Sequence, residues 1–383
     1  MLYLLFDSLR QQGIYVALLD QVEFRALAAA LLAFVLVLAF GKPVINRLTR
    51  LKIGDAGHTD AAALRSHAAS KANVPTMGGL LIGLSILVST LLLADISERL
   101  IIAGLVVLVW LGTLGGFDDW LKLSAARRGT GRQGLFAWEK LLFQLAIGAL
   151  VGAYLYTVGD TQLDRDMGHV VNLPLQRTFV PGTGAPAEDL IYLGRTAFIF
   201  VSIMLIAGMS NAVNITDGMD GLAGGITTTV AFGLMLLALV AGSGQMAPHL
   251  LVPHVPGADE LAVLAGSIAG ACLGFLWWNC SPAQVFMGDT GSLPLGGLIA
   301  YIAIATRQEI VTLVMCSVFL FEIGSVVAQV GYFRATGGRR IFKCAPYHHH
   351  LHLCGWNESQ VVARLWIISI LLTVFAIASL KVR

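Results

Sequence analysis

Acidic side chains that could bind a metal ion stand where apolar stretches of the sequence end. Asp118 and Asp119 end one such stretch, Asp217 and Asp220 end another, and Asp289 follows a third. A single aspartate in this setting is often only a helix cap. The whole set favours a magnesium site, because Mg²⁺ is usually bound by one or two carboxylates together with substrate phosphates. The chemistry that such a site would serve best is phosphoryl transfer, which depends on a divalent metal and on positioned charges.

Lysines accompany two of the polar motifs. Lys122 follows Asp118 by four residues, so the two side chains share a face if the helix continues. Asp118 and Asp119 point about 100° apart on a helix and should therefore have different roles. Lys122 and Lys71 could act as point charges for phosphate. The alternative is that these lysines only reflect the bias of positive charge towards the cytoplasmic side of a membrane.

A cluster of histidines forms a third chemical feature. His348, His349, His350 and His352 place four imidazoles within five positions. We favour hydrogen bonds from these rings to phosphates or a sugar. A zinc site is an alternative, but consecutive histidines are poorly spaced for zinc ligation. A purely structural loop is the remaining interpretation.

Glu322 is the one acidic residue deep inside a predicted membrane span. An ionisable group at that depth is a functional candidate by default. It could equally form a hydrogen bond to a neighbouring helix, so the sequence assigns it no specific role.

The composition requires a membrane to position these residues. Of 383 residues, 56% are hydrophobic and 13% are charged, about half the charged share of soluble domains. This excludes a soluble globular enzyme, a disordered chain and a nucleic-acid-binding protein. Five cysteines without a CxxC pair also argue against a disulfide framework or a zinc ribbon.

The apolar stretches predict an all-α polytopic membrane protein with about ten transmembrane helices. A crossing needs about 20 apolar residues. We expect one integral-membrane transferase domain over residues 1–383. The predicted spans are Arg25–Ile45, Thr76–Ala94, Leu100–Phe117, Leu142–Val158, Thr196–Val213, Leu222–Ala241, Leu261–Asn279, Leu293–Ala305, Ile310–Phe333 and Val361–Leu380.

The distribution of Lys and Arg predicts the orientation of these spans. Most basic residues follow odd-numbered spans, which places those loops in the cytoplasm and both termini on the periplasmic side. The same parity puts every polar motif on the cytoplasmic face. A transporter would instead bind its substrate near the middle of the membrane, so this segregation favours a membrane enzyme over a transporter or lipid carrier.

Five motifs together resemble a known family, the polyprenyl-phosphate N-acetylhexosamine-1-phosphate transferases, and within it the bacterial phospho-N-acetylmuramoyl-pentapeptide transferases. The resemblance extends from about Lys42 to the C-terminus. The motifs that carry it are Lys71-Ala-Asn-Val-Pro-Thr76-Met-Gly-Gly, Phe117-Asp118-Asp119-Trp-Leu-Lys122, Asn214-Ile-Thr-Asp217-Gly-Met-Asp220-Gly-Leu-Ala, Phe286-Met-Gly-Asp289-Thr-Gly-Ser-Leu and Pro346-Tyr-His-His-His350.

The resemblance implies a reaction and its participants. Phospho-MurNAc-pentapeptide would be transferred from UDP-MurNAc-pentapeptide to undecaprenyl phosphate, which gives lipid I and UMP in peptidoglycan biosynthesis. The cofactor would be Mg²⁺. The enzyme would be a multi-pass protein of the bacterial inner membrane, with the lipid bilayer and a second copy in a homodimer as partners and no nucleic acid.

The resemblance also implies roles for individual residues. Asp289 matches the Mg²⁺ ligand. Asp118 matches the proposed base for the lipid phosphate, and Asp119 would bind that phosphate or orient Lys122. His348 belongs to the catalytic set. The remaining matches form a predicted substrate-binding set, with Phe286 offering a ring to the uracil: Lys71, Thr76, Asn211, Asn214, Asp217, Gly218, Asp220, Phe286, His349 and His350.

One stretch departs from the family pattern. After the three histidines the family usually has an acidic and then a basic residue before Gly-Trp, whereas this chain has Leu351-His352-Leu353-Cys354. The departure concerns sugar or peptide recognition rather than the reaction. A sister transferase that uses UDP-GlcNAc is the main alternative, and the triple histidine followed by Gly355-Trp356 favours the pentapeptide branch.

Overall fold

The computed structural model describes residues 17–50, 74–128, 134–158, 167–173, 176–181 and 184–380. These residues form thirteen α-helices and three short 3₁₀ turns, and they contain no β-strand, only two isolated bridges. The all-helical prediction is therefore confirmed for this part of the chain. In chain order, α1 to α13 are Val22–Arg50, Gly79–Leu93, Arg99–Arg128, Ala137–Val158, Arg195–Thr216, Leu222–Gly242, Met246–His249, Leu261–Asn279, Asp289–Ala305, Glu309–Met315, Ser317–Ala335, Tyr347–Leu353 and Glu358–Ser379.

Within the described ranges, eight helices are long and apolar enough to cross a membrane: α1, α3, α4, α5, α6, α8, α11 and α13. Two shorter apolar helices, α2 and α9, correspond to the second and eighth predicted spans. Many large apolar side chains on the long helices are exposed, for example Leu31, Phe200 and Phe375. Such surfaces are expected of helices that face lipid.

Helix α9 forms the centre of the bundle. Each of its 17 residues is buried, and it packs against α2, α3, α5 and α6. A helix that is apolar on all sides requires such an environment. Because α9 begins at Asp289, the surrounding helices also enclose that carboxylate.

Close contacts between backbones hold α8 against α1. A Cβ atom added at Gly270 would lie 1.9 Å from the carbonyl oxygen of Ala30, and one added at Gly266 would lie 2.3 Å from that of Ala26. Small residues allow this approach in membrane helices, where packing replaces the hydrophobic effect as the driving force.

The helices differ from the predicted spans in several places: α3 continues past Phe117 to Arg128, and α4 begins at Ala137 rather than at Leu142. The eighth span was predicted to begin at Leu293, but the helix begins at Asp289 and contains Pro294 in its second turn. The ninth predicted span, Ile310–Phe333, is divided into α10 and α11 at Cys316. The Ser317 hydroxyl donates to the carbonyl oxygen of Val314 at 2.7 Å, and such local bonds compete with the regular helical pattern.

Candidate active site

Three helices bring charged groups together at one end of the bundle. Asp118, Asp119 and Lys122 lie near the end of α3, Lys140 lies in the first turn of α4, and Asp289 opens α9. The three aspartates can each direct one carboxylate oxygen so that the three atoms lie within 4.8 Å of one another. The predicted gathering of these aspartates with Lys122 is therefore present in the structure.

The carboxylate of Asp118 is buried and makes contacts through both oxygens. Its Oδ1 accepts a hydrogen bond from the backbone N–H of Leu135 at 2.7 Å. Its Oδ2 lies 2.6 Å from Lys122 Nζ and 2.8 Å from Lys140 Nζ. The first contact fixes the orientation of the group, and the second leaves one oxygen directed towards the cations of the site.

Asp119 supports the start of α9. Its Oδ2 accepts hydrogen bonds from the backbone N–H of Thr290 at 2.9 Å and from the Thr290 hydroxyl at 2.7 Å. Its Oδ1 accepts from the backbone N–H of Asp289 at 3.3 Å. A negative charge at the beginning of a helix satisfies N–H groups that have no helical partner. Asp118 and Asp119 therefore do have different local roles, as their neighbouring positions predicted.

Asp289 connects the two lysines to α5. Its Oδ1 accepts from the Asn214 amide at 2.8 Å, and its Oδ2 lies 2.6 Å from Lys140 Nζ and 3.3 Å from Lys122 Nζ. Asn214 also donates to the Ser292 hydroxyl at 2.9 Å. The position of the Asp289 carboxylate is thus determined by contacts from three other helices.

This donor set fits a hard divalent cation. The three converging groups are all carboxylates, which are the ligands that Mg²⁺ prefers, and they are largely withdrawn from water. Two ammonium groups face three carboxylates here, so the cluster keeps a net negative charge. The histidines lie outside this group of potential ligands among the described residues.

Glycines allow the backbones to approach closely enough for these contacts. A Cβ added at Gly115 of α3 would lie 2.1 Å from the carbonyl oxygen of Asp289, and one added at Gly79 of α2 would lie 2.0 Å from the nitrogen of Gly291. Gly288 has a φ of 71°, and a Cβ there would lie 2.6 Å from Asp119 Oδ2. Larger residues at these positions would displace the start of α9 from the end of α3.

Gly115→Ala should therefore lower turnover by on the order of 100-fold, because a displacement of about 1 Å in an active site can have that effect. Gly112 is the matched control, since an added Cβ there would meet nothing within 4 Å. Initial rates of both purified variants provide the measurement. Equal activity of Gly115→Ala and Gly112→Ala would show that the close approach is unimportant.

Asp217 lies just beyond the end of α5 and beside the acidic cluster. Burial, followed by the negative charges of Asp289 and Asp119, raises the pKa of Asp217 to about 7, although the backbone N–H of Gly288 opposes the shift. A carboxyl with this pKa changes its charge near neutral pH. In the folded protein it retains a proton that it would lose near pH 4 in the unfolded chain.

This shift predicts a pH-dependent loss of stability. Because the folded protein binds the extra proton, its stability should fall as the pH rises from about 4 to about 7. Asp217→Asn mimics the protonated carboxyl, so its melting temperature should exceed that of the wild type more at pH 8 than at pH 5, measured in detergent without Mg²⁺. Asp189→Asn, in an exposed loop, should show no such difference. A constant offset for Asp217→Asn at both pH values would contradict the shift.

The histidine segment meets the loop that follows Asp217. A Cβ added at Gly218 would lie 2.5 Å from His348 Nε2 and 3.5 Å from His349 Nε2. His350 lies elsewhere: its ring packs near Phe342 and Tyr347, and its Nδ1 accepts from the backbone N–H of Lys343 at 3.2 Å. The structure therefore separates the three predicted histidines into two that face this loop and one that packs in its own segment.

The segments around Thr76 and Phe286 lie side by side. The backbone N–H of Phe286 donates to Pro75 O at 2.8 Å, and the N–H of Gly78 donates to Phe286 O at 2.8 Å. Thr76 Oγ1 would lie 2.9 Å from a Cβ added at Gly288. This pairing places both predicted substrate-binding residues next to the start of α9. Lys71 lies outside the described residues.

Two other predicted substrate-binding residues make contacts that support the fold. The Asn211 amide donates to Gln144 Oε1 at 2.7 Å and to Ala207 O at 2.8 Å, which joins α5 to α4. Asp220 is buried, and its Oδ2 accepts from the backbone N–H of Ala283 at 3.1 Å. These bonds fix the walls of the site, and the structure does not bring either side chain into the carboxylate cluster.

Lys140 is the member of the cluster that the motifs did not predict. The sequence places it in a basic loop, where the positive-inside bias is a sufficient explanation. Its contacts with Asp118 and Asp289 depend on how α4 packs beside α3 and α9. One sequence signal could have indicated this role: the lysine lies at the first turn of the span that comes after the Asp-Asp motif.

The sequence matches known proteins along its whole length. The model of a family described as glycosyl transferase family 4 matches residues 101–307. A phospho-N-acetylmuramoyl-pentapeptide-transferase of Desulfotalea psychrophila is 43% identical over 364 residues, which are 94% of each chain. Another protein of that name, from Desulfosudis oleivorans, is 39% identical over 383 residues, which are 100% of both chains.

Proposed function

Because the chain belongs to the phospho-N-acetylmuramoyl-pentapeptide-transferase family, we propose that it transfers phospho-MurNAc-pentapeptide from UDP-MurNAc-pentapeptide to undecaprenyl phosphate. The products are lipid I and UMP, and the reaction belongs to peptidoglycan biosynthesis. The observation that carries this proposal is the cluster of Asp118, Asp119 and Asp289 with two lysines at one end of a bundle of apolar helices. Such a cluster suits the handling of phosphate groups beside a membrane.

The exchange of phosphate bonds defines the tasks of these residues. An oxygen of the lipid phosphate attacks the phosphorus that carries the sugar, a new P–O bond forms, and the bond to UMP breaks. Asp118 accepts the proton of the lipid phosphate through the oxygen that faces the lysines. Lys122 and Lys140 stabilise the negative charge on the transferred group, because positioned cations act strongly in a site withdrawn from water. Asp119 holds α9 so that Asp289 keeps its place.

Mg²⁺ is the proposed cofactor, with Asp289 as its principal protein ligand. When bound, the ion would offset charge on the pyrophosphate of the substrate. The carboxylates of Asp118 and Asp119 supply the remaining negative charge that would attract a cation. Asp289 would then interact with both the metal ion and the two lysines. The positive charges of the lysines should therefore be directed to phosphate once substrate is present.

The uridine nucleotide is assigned to the region around the α5–α6 loop and the start of α9. Asn214, Asp217 and Gly218 offer polar and backbone groups, and Phe286 offers a ring for stacking on uracil. Lys71, Thr76 and His349 complete the proposed pocket, with His348 directed to the phosphates. Asn211, Asp220 and His350 would act through the walls of this pocket, as their contacts suggest.

The proposed setting is the bacterial inner membrane. The two shorter apolar helices, added to the eight long ones, would give ten crossings with both termini in the periplasm and the acidic cluster on the cytoplasmic face, where UDP-linked substrates occur. The whole chain would act as one integral-membrane domain. We also propose a homodimer, and nucleic acid has no part in the reaction.

The test is formation of lipid-linked product by the purified protein with undecaprenyl phosphate, Mg²⁺ and one nucleotide sugar. Product and UMP from UDP-MurNAc-pentapeptide but not from UDP-GlcNAc would support the proposal. Product only from UDP-GlcNAc would assign the chain to a sister reaction and give importance to the unusual sequence after the triple histidine. Absence of product from either, with folded protein, would leave a carrier without chemistry.

A further inference from the structure

Glu322 pairs with the histidine that faces the proposed active site. It lies within α11, and both Glu322 and His348 are fully buried. Glu322 Oε2 accepts a hydrogen bond from the backbone N–H of His348 at 3.2 Å and lies 3.1 Å from His348 Nδ1. One carboxylate oxygen therefore receives two contacts from the same residue, the first residue after Tyr347 in α12.

This pairing determines which ring nitrogen faces the active site. A carboxylate beside Nδ1 keeps a proton on that atom, and it fixes both the tautomer and the orientation of the ring. Nε2 is then the ring nitrogen that can gain or lose a proton. It is buried, has no hydrogen-bond partner among the described residues, and lies 2.5 Å from where a Cβ on Gly218 would be. It therefore points at the loop that contains Asp217.

Fold stability alone gives little reason for a carboxylate at this position. Removing a carboxylate from water is costly, and replacing buried ionic groups with apolar residues of similar size is often neutral or stabilising. Glu322 Oε1 has no hydrogen-bond partner in the described part of the chain, so the group is only half satisfied. The carboxylate contacts a residue of the proposed active site, which suggests that it serves that residue.

We propose that Glu322 is a positioning residue for the transfer reaction. Its buried carboxylate holds the proton on His348 Nδ1 and directs Nε2 across the Gly218 backbone, so that Nε2, when it also carries a proton, donates a hydrogen bond to the phosphates of the nucleotide substrate. The inference rests on the proposed function, because it assigns His348 to the substrate phosphates. Its structural part, the protonation and direction of the ring, can be measured without turnover.

Two variants separate positioning from packing. Glu322→Leu removes the acceptor and should lower kcat by roughly 10- to 100-fold, the loss typical when a partner that orients a functional histidine is removed. The KM for the nucleotide sugar should change by less than about threefold. Because this variant leaves the buried N–H groups of His348 without an acceptor, its melting temperature should fall, and kcat is therefore compared at a temperature at which both proteins are fully folded. Glu322→Gln keeps an acceptor without the charge and should retain more activity than Glu322→Leu.

A double-mutant cycle tests whether Glu322 acts through His348. In a His348→Gln background, Glu322→Leu should cause no further loss of kcat, since residues that act as a unit are not additive. A further tenfold loss in the double variant, or a loss of activity that merely follows the melting temperature, would overturn the proposal. If Glu322→Leu does not fold, Glu322→Gln enters the same cycle, and there too a loss independent of His348 would overturn it.

Nitrogen-15 spectra of histidine-labelled protein give a readout that does not depend on substrate. The chain has nine histidines, and the spectrum of His348→Gln identifies the signal of His348 by its disappearance. The wild type should show a proton on Nδ1 of His348, and Glu322→Leu should redistribute it. If the ring behaves in this way but the protein makes no lipid-linked product, the proposed function fails while the pairing stands. If Glu322→Leu leaves the protonation of the His348 ring unchanged, the proposed pairing is wrong, whatever the activity of the variant.

Discussion

Asp289→Asn should lower the rate of lipid-linked product formation by on the order of 1000-fold, at the upper end of the effect of removing one group that stabilises charge in an active site. The substitution keeps the size of the side chain and the hydrogen bond from Asn214 can persist in part. It removes the negative charge that both lysines contact and that a magnesium ion would require. The loss should appear as a lower kcat at saturating Mg²⁺.

The melting temperature decides whether such a loss is chemical or structural. Asp289 is contacted by two ammonium groups, so its neutralisation also leaves Lys122 and Lys140 with one fewer partner each. Asp118 remains to hold them, and the fold should therefore survive. Asp189→Asn, at an exposed carboxylate in the loop that precedes α5, should be fully active. Undiminished activity of Asp289→Asn would contradict the assignment of Asp289 as the metal ligand.

The composition and the motifs are sufficient to predict much of this site. Carboxylates at the ends of apolar stretches converge when alternate helices run in opposite directions, and Asp118, Asp119 and Asp289 do so here. The i,i+4 spacing of Asp118 and Lys122 also produces the predicted contact, at 2.6 Å. These successes depend on local geometry and on the parity of the spans, both of which can be read from the order of residues.

The remaining features depend on packing between distant segments. The partner of Glu322 could not be predicted, because the contact with His348 joins residues 26 positions apart on two helices whose relative placement the sequence does not specify. The break at Cys316 was missed because the apolar stretch is continuous there and only a hydroxyl bond at Ser317 marks it. Asn211 carries a motif position, yet its amide binds Gln144 inside the bundle.

Lys140→Met should lower kcat by on the order of 100-fold, the lower end of the effect of losing one group that stabilises transition-state charge. Lys140 Nζ lies 2.6 Å from Asp289 Oδ2 and 2.8 Å from Asp118 Oδ2, so it joins α4 to both α3 and α9. Methionine keeps the length and the apolar stem of the side chain. Only the ammonium group and its contacts are lost, and among the described residues Lys122 remains opposite the carboxylates.

Magnesium dependence separates a catalytic lysine from a structural one. Removing a positive charge beside the carboxylates strengthens their attraction for a divalent cation, because Coulomb interactions are less screened in a buried site. The Mg²⁺ concentration for half-maximal activity should therefore fall in Lys140→Met even as kcat falls. Lys42→Met, at an exposed lysine of α1, should change neither quantity. If activity falls and the affinity for Mg²⁺ falls with it, Lys140 holds the helices in place, because a disordered cluster binds the ion less well. If kcat falls while the affinity for Mg²⁺ rises, the cluster is still ordered and lacks one cation for the phosphates.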